Sequence, residues 1–242
     1  MSEEVKFSSF KDYFTNFCPH IMFYGKGGTG KTTLAGKTGM RTILLDCGDS
    51  GVVTLKDVDK KLLRIIKIRS ILHYLDAIND CVHIAQQGKV DLLVSDTLTG
   101  LRALAIREVK GKRNFDGMNI KKWGMVSSRV IECIHETSNF PRDVIYLAQQ
   151  KKSGELGEDD STKRISSDLS DGVQNFLSGR IDWIGNLFMD DERRKISFLI
   201  SERLEAKDRS GLFPKVLTLG PQSKDVSPYI AIRKRIVESI HG

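Results

Sequence analysis

The chain has few cysteines and no long apolar run. Its four cysteines, Cys18, Cys47, Cys81 and Cys133, lie far apart and lack the C-x₂-C spacing of a zinc site, so we expect reduced thiols. No apolar run approaches the roughly eighteen residues that a membrane-spanning helix needs. The acidic residues 1–4 do not resemble a signal peptide. The sequence therefore predicts a cytoplasmic protein with no zinc site and no membrane partner.

The overall composition is that of a globular protein with an excess of positive charge. Of the 242 residues, 40% are hydrophobic and 29% are charged, which is typical of a folded soluble protein. This length fits one large α/β domain. The formal net charge of +7 favours an anionic partner larger than a nucleotide, although charge alone does not identify one.

The glycine-rich residues 25–32, Gly-Lys-Gly-Gly-Thr-Gly-Lys-Thr, fit the phosphate-binding pattern G-x-x-x-x-G-K-[ST] at every fixed position. A buried strand is predicted before it, and a helix is predicted to begin at Thr32. In this context backbone N–H groups surround an anion, Lys31 reaches the β- and γ-phosphates, and the Thr32 hydroxyl binds Mg²⁺. The sequence thus predicts binding of ATP and Mg²⁺. The predicted nucleotide-binding residues are Gly25, Lys26, Gly27, Gly28, Thr29, Gly30, Lys31, Thr32 and Thr33.

A second apolar run, residues 90–97, ends in an acidic residue, as a buried parallel strand with a metal-binding aspartate does. Asp96 is predicted to hold Mg²⁺ through water, together with Thr32. The strand over residues 42–45 brings Asp46 and Asp49 to the same edge of the sheet. These motifs predict an α/β fold of the P-loop NTPase type, with a mostly parallel central sheet flanked by helices.

The remaining elements follow from periodicity and capping residues. Residues 70–86, capped by Ser70, residues 125–136 and residues 228–240 predict helices. Residues 143–148 predict a strand that ends at Gln149, a polar amide able to sense a γ-phosphate. The following residues 151–171 are rich in Lys, Gly, Ser and Asp and predict a mobile loop. Residues 196–200 and the region around Leu204 predict an antiparallel pair at the sheet edge.

Residues 102–122 form the most basic segment. They contain seven Lys or Arg residues against Glu108 and Asp116, with Phe115 and Trp123 as neighbouring aromatics. Cations that follow a phosphate backbone, with aromatics on which bases stack, are what a single-stranded DNA surface requires. A solvated loop and helix face explains the same residues equally well, so both interpretations stay open.

Phenylalanines recur at helical spacing in residues 5–17. This pattern predicts a helix that packs on its own core, with a docking segment for a neighbouring subunit as the alternative. We therefore divide the chain into an N-terminal helical extension, residues 1–20, and one ATPase domain, residues 21–242.

Several segments resemble the RecA-like core of compact phage-encoded AAA-type ATPases associated with single-strand annealing and recombination. The resemblance spans about residues 21–216. Residues 95–101, Ser-Asp-Thr-Leu-Thr-Gly-Leu, are similar to the group's Asp-Ser-Leu-Thr-x-Leu motif, and residues 122–124, Lys-Trp-Gly, to a recurring Trp-Gly. Residues 147–149, Leu-Ala-Gln, occupy the place of the RecA-type Asn-Gln, and residues 206–209, Ala-Lys-Asp-Arg, resemble its Lys-Asn-Lys/Arg segment.

This resemblance implies a RecA-like fold and a set of roles. Gln149 would couple ATP to a DNA-binding loop, and Lys207 and Arg209 would reach the γ-phosphate bound to a neighbouring subunit. The nucleotide would then lie between subunits of a ring or filament, with single-stranded DNA at residues 108–122 and 151–167. A phage annealing or single-strand-binding protein is an implied partner, and a phage origin would place the protein in the host cytoplasm.

One position departs from the family, and it keeps two alternatives open. The family has Glu two residues after Asp46, where this chain has Gly48, so either Asp49 acts as the catalytic base or hydrolysis is slow. A nucleotide-binding assembly module with negligible turnover is therefore one alternative. The other is a ParA/MinD-like partition ATPase, because Lys26 matches the extra lysine of that family's phosphate loop.

Overall fold

The computed structural model describes residues 17–48, 50–111, 118–153, 164–199, 201, 204–220 and 227–241. The strands within these ranges are β1 His20–Gly25, β2 Thr42–Asp46, β3 Leu63–Lys67, β4 Leu92–Asp96, β5 Asp143–Ser153, β6 Arg164–Ser167, β7 Trp183–Asp190, β8 Arg193–Ser197, β9 Lys207–Asp208 and β10 Val216–Thr218. The helices are α1 Lys31–Gly36, α2 Ile71–Gln86, α3 Leu98–Lys110, α4 Ile120–Ser138, α5 Asp171–Arg180 and α6 Pro228–His241, with a 3₁₀ helix at Ser50–Leu55. The predicted N-terminal helix lies outside the described residues, apart from Phe17.

The strands form one mostly parallel sheet in the order β10-β8-β7-β1-β5-β4-β2-β3. Six neighbouring strands are parallel to one another, namely β7, β1, β5, β4, β2 and β3. At one edge, β8 runs antiparallel to both of its neighbours, β7 and β10. Off this path, β6 pairs with β5 and β9 pairs with β7. The predicted α/β fold with a mostly parallel sheet and an antiparallel edge is confirmed.

Both faces of the sheet are covered, which explains why residues 21–24 of β1 are buried hydrophobic side chains on both faces. Met22 and Tyr24 pack in the core beneath α2, α3, α4 and α5. Ile21 and Phe23 point the other way, into the core formed with α1, the 3₁₀ helix and α6. Successive side chains of a strand face opposite sides, so a central parallel strand has to be apolar at every position.

Three sequence predictions compare directly with the fold. The Ser70 hydroxyl caps α2 by accepting a hydrogen bond from the His73 N–H (3.1 Å), as predicted. Helix α4 begins five residues earlier than predicted, at Ile120, where the Asn119 side chain caps it. Within the described ranges, no helix is both long and apolar enough to cross a membrane.

The predicted pairing of residues 196–200 with the region around Leu204 is wrong. Strand β8 instead forms a hairpin with β7, joined by the two-residue turn Asp191–Glu192, and its other edge pairs with β10. Both turn residues have positive φ (46° and 60°), the conformation that a tight two-residue hairpin requires. Leu204 forms an isolated parallel bridge to Ile165 and exchanges backbone hydrogen bonds with Ser201.

Candidate nucleotide site

The predicted phosphate loop follows β1 at the carboxyl edge of the sheet. Strand β5 lies beside β1, with Gly25 opposite Gln149, and β4 follows β5. Strand order therefore brings the ends of three strands together although they are far apart in sequence. A cavity of about 240 Å³ opens between them. Its lining includes Gly27, Gly28, Gly30, Lys31, Thr32, Thr33, Gly51, Thr54, Asp96, Thr97, Gln149 and Arg194.

Lys31 is held inside the loop by carbonyl groups. Its ammonium group donates to the Gly25 oxygen (2.8 Å) and the Lys26 oxygen (2.9 Å), and it lies 3.3 Å from Gln149 Oε1. The residue is 6% exposed. The three acceptors named here are neutral oxygens, so the ammonium group brings a positive charge to the loop, which suits an anionic ligand.

The other loop residues shape the backbone around this lysine. The Lys26 oxygen also accepts from the Thr29 hydroxyl (3.0 Å), which closes the start of the loop. A Cβ atom on Gly25 would lie 2.1 Å from the Leu187 oxygen of β7, so a larger residue does not fit there. At the far end, Thr33 Oγ1 lies 3.1 Å from Thr54 Oγ1 and ties α1 to the 3₁₀ helix.

Thr32 and Asp96 are in direct contact. The Thr32 hydroxyl donates to Asp96 Oδ2 over 2.7 Å, and both residues are at least 91% buried. A hydroxyl next to a carboxylate at the floor of a phosphate cavity is an oxygen donor set that fits Mg²⁺, which usually takes one or two protein ligands plus phosphate oxygens and water. Among the described residues no group of three or more His, Cys, Asp or Glu side chains could hold a metal, and this type of site does not need one.

The end of β2 reaches the same cavity through the 3₁₀ helix. Gly51 lies so close to Thr32 that a Cβ atom would be 2.3 Å from the threonine Oγ1. Gly48 occupies the position where the family that the sequence resembles has Glu. It is exposed and has φ of 113°, a conformation that residues with side chains rarely adopt. Asp49, the predicted substitute base, lies outside the described residues, and its role stays a prediction.

Gln149 connects the loop to the following hairpin. Its N–H donates to Thr99 Oγ1 (2.9 Å), which fixes the end of β5 against α3, while its side chain faces Lys31. The next residue, Gln150, accepts from Asn186 Nδ2 (3.3 Å) and begins the pairing of β5 with β6. Residues 151–153 and 164–167 are thus strands of a hairpin rather than a loop, and residues 154–163 lie outside the described residues.

Lys207 and Arg209 lie at the opposite end of β7 within their own chain. Lys207 pairs with Ile184, near the start of β7, and donates to the carbonyl oxygens of Ser178 and Ile181, the latter over 2.6 Å. Arg209 pairs with Asp182 (3.2 Å). Burial, together with the charge of Arg209, lowers the pKa of Lys207. Both cations therefore stabilise the carboxyl end of α5, and their action in a neighbouring subunit stays a prediction.

Arg194 of β8 is a site residue that the sequence analysis missed. A Cβ atom on Gly30 would lie 2.8 Å from Arg194 Nε and 2.9 Å from Cζ, so the guanidinium group lies directly against the phosphate loop. Glycine at position 30, where φ is 88°, leaves the room for this approach. The alternation of Arg194 with the apolar Ile196 and Phe198 was only a partial signal, because it places the arginine on the apolar face of the strand but does not say that this face reaches the phosphate loop.

The described part of the basic segment surrounds one aromatic ring. Arg102 lies over the Trp123 ring, 5.5 Å from its centroid, and pairs with Asp168 over 3.3 Å. Trp123 itself is 40% exposed, and Lys121 is exposed beside it. Residues 112–117 lie outside the described residues. The ends of α3 and α4 thus present cations and one accessible aromatic on a common surface.

Comparison with known proteins agrees with this geometry. Residues 19–210 match a family model described as an AAA domain, and no curated protein sequence matches the chain. The matched range begins just before β1 and extends past β9, so it includes the phosphate loop, Asp96 and Gln149. This chain belongs to the AAA domain family of P-loop nucleotide-binding ATPases.

Proposed function

We propose that this protein is a RecA-like ATPase that acts on single-stranded DNA in phage recombination or annealing, in the host cytoplasm. The observation that carries the proposal is the position of Gln149. This residue faces Lys31 of the phosphate loop and begins the hairpin, β5 and β6, that is predicted to bind DNA. A change at the nucleotide can therefore be transmitted to a DNA-binding segment through two adjacent residues, Gln149 and Gln150.

The proposed chemistry is hydrolysis of the γ-phosphate of ATP. Lys31 would neutralise charge that develops on the β- and γ-phosphates. Thr32 and Asp96 would hold Mg²⁺, which supplies further charge neutralisation when it is bound. Asp49 would take the proton of the attacking water, since Gly48 has no side chain to do so.

The proposed DNA surface combines α3, α4 and the β5–β6 hairpin. Lys121 and Lys122 at the start of α4 would contact phosphates, and Trp123 would stack on a base. Self-association into a ring or filament would complete the nucleotide site, with Lys207 and Arg209 acting on the neighbouring subunit. A phage annealing or single-strand-binding protein would supply the coated DNA.

The test is ATP hydrolysis measured with and without single-stranded DNA. We expect stimulation by DNA in the wild type, hydrolysis reduced by roughly 100-fold or more in Lys31→Ala, and basal hydrolysis without stimulation in Gln149→Ala. The double variant K121E/K122E should bind DNA roughly tenfold more weakly at low salt. K60E/K61E is the matched control, because these two lysines are also adjacent and exposed but precede β3, away from α3 and α4. The same rate of wild-type ATP hydrolysis with and without single-stranded DNA would contradict the proposal.

The conformation of Gly48 favours a second candidate, an assembly module that binds ATP without meaningful turnover. Replacing the family's Glu by a glycine with φ of 113° removes the usual base. A single-turnover assay decides between the two functions. ATP that stays intact on the protein over many minutes supports the assembly module, whereas its loss, abolished by Asp49→Ala, supports the ATPase. The family match gives the partition-ATPase alternative no support of its own.

A further inference from the structure

Arg194 reaches the phosphate cavity from the antiparallel edge of the sheet. Its guanidinium group contacts Gly30, and it lines the same cavity as Lys31 and Thr32. It stands on a rigid part of β8. The residue pairs with Met189 of β7 on one side, and its carbonyl oxygen accepts from the Leu219 N–H (2.8 Å) on the other. The backbone thus fixes where the side chain begins.

The charge of Arg194 is not neutralised by a carboxylate of the described residues. Its neighbours on the hairpin differ from it: Lys195 pairs with Asp190 over 2.5 Å, and Arg193 is exposed. Arg194 is half-buried and forms none of the ion pairs observed in the described ranges. A half-buried guanidinium group next to an anion-binding loop, with no carboxylate partner among these residues, is available for an anion.

Strand order indicates which end of the nucleotide it meets. The groups for Mg²⁺ and the γ-phosphate, Asp96 and Gln149, lie on β4 and β5, on one side of β1. Arg194 approaches from β8, on the other side of β1. A triphosphate whose terminal end lies against Asp96 and Gln149 therefore turns its nucleoside end towards Arg194.

We propose that Arg194 binds the phosphates at the nucleoside end of a nucleotide bound in the same subunit, those that ADP retains. This inference rests on the nucleotide binding of the proposed function but not on DNA. Arg194 holds ATP and ADP equally well and contributes affinity rather than rate, because an interaction present in both the ground state and the transition state leaves kcat unchanged. The planar guanidinium group can give two parallel hydrogen bonds to phosphate oxygens.

The test compares Arg194→Ala with Arg193→Ala, a matched control one position away on the exposed face of β8. Dissociation constants for ATP and for ADP are measured by calorimetry, and hydrolysis is measured at saturating ATP. Loss of charged hydrogen bonds should weaken both nucleotides by the same factor, roughly 10- to 100-fold, and leave kcat unchanged. Arg194→Lys should recover part of the affinity, since it keeps the charge but not the fork. Arg193→Ala should bind as the wild type does.

Three results would overturn the inference. Wild-type affinity in Arg194→Ala would show that the contact with Gly30 is only packing. Weaker binding of ATP with unchanged binding of ADP would place the arginine at the terminal phosphate instead. A wild type that binds no nucleotide would overturn both this inference and the proposed function, whereas binding without DNA-stimulated hydrolysis would contradict only the latter. If Arg194→Ala does not fold, the comparison of Arg194→Lys with the wild type applies the same criteria.

Discussion

The strands on the two sides of β1 contribute to the phosphate site in different ways. On one side, β5 and β4 supply Gln149 and Asp96, whose side chains contact Lys31 and Thr32 of the loop. On the other side, β7 packs its Leu187 carbonyl oxygen against Gly25, and β8 contributes one arginine to the cavity. The first side is built from short side chains at strand ends, and the second from backbone and a single long side chain.

This difference indicates that one side sets the geometry around the reacting phosphate, whereas the other contributes affinity for the nucleotide. Short, buried side chains have little freedom, so they suit the strict octahedral arrangement that Mg²⁺ demands near the reacting phosphate. A long arginine from a hairpin can follow small movements of the nucleotide and supply attraction without fixing the reacting atoms. We therefore expect changes on the β4 and β5 side, the rate side, to affect the rate of hydrolysis. Changes on the β8 side, the affinity side, should affect nucleotide binding.

Lys31→Ala should have the largest effect, because Lys31 belongs to the loop that both sides share. Its ammonium group brings the positive charge that ATP meets inside the loop. We expect ATP affinity to fall and hydrolysis to decrease by roughly 100- to 1,000-fold. Calorimetry and a phosphate-release assay measure the two effects. Lys31→Arg, with the charge kept in a larger group, is the control, and near-normal hydrolysis in Lys31→Ala would contradict the assignment.

Asp96→Asn should have the second-largest effect, and it should lower the rate of hydrolysis without weakening the binding of ADP in the absence of metal. The substitution keeps the shape but removes the charge that faces Thr32. We expect a loss of about 100-fold in hydrolysis at saturating ATP, with ADP affinity in the absence of metal unchanged. Titration with Mg²⁺ provides the second measurement, since only the wild type should bind ADP more tightly as metal is added. Equal dependence on metal in both proteins would remove Asp96 from the site.

Lys207→Ala should have a moderate effect on stability. Its ammonium group binds two carbonyl oxygens at the end of α5, so its loss should lower the free energy of unfolding by about 1–2 kcal/mol. Thermal denaturation measures this change. A loss of kcat at an unchanged melting temperature is what the trans-acting role predicts. Arg209→Ala, whose Asp182 pair is more exposed, should destabilise less.

Lys26→Glu should have the smallest effect. Lys26 contributes its carbonyl oxygen to the loop, and any residue supplies that group. We expect ATP affinity and hydrolysis to change by less than about threefold, the size of a screened surface charge effect. Size-exclusion chromatography with and without ATP is the second readout. Loss of both ATP-dependent association and hydrolysis would favour the partition-ATPase alternative.

The residues that lie together on the β4 and β5 side could be selected from the sequence for a physical reason, and their roles stay predictions. A phosphate loop is a contiguous sequence pattern in which backbone N–H groups surround the anion, so residues 25–33 could be located without knowledge of the fold. Asp96 and Gln149 each end an apolar run, and parallel strands bring such ends to one edge. The helix predicted to begin at Thr32 is α1, which begins one residue earlier, at Lys31.

The affinity side could not be predicted in the same way. Arg193, Arg194 and Lys195 are three consecutive cations, and nothing in their composition says which one reaches the loop. Only the hairpin register with β7 decides it, and that register depends on the turn at residues 191–192, which the sequence analysis did not identify. The contacts of Lys207 depend on β9 pairing with β7, another long-range event.

The position of β1 in the sheet has a consequence for how the protein is made. Both neighbours of β1, the strands β5 and β7, come much later in the sequence, at Asp143–Ser153 and Trp183–Asp190, so the ribosome makes them well after β1. Pairing between segments so distant in sequence is slow, because a long loop must close before any contact stabilises it. A nascent chain that ends before β7 therefore has the complete phosphate-loop sequence but lacks one of the two strands that flank β1, and nucleotide binding should arise only late in synthesis.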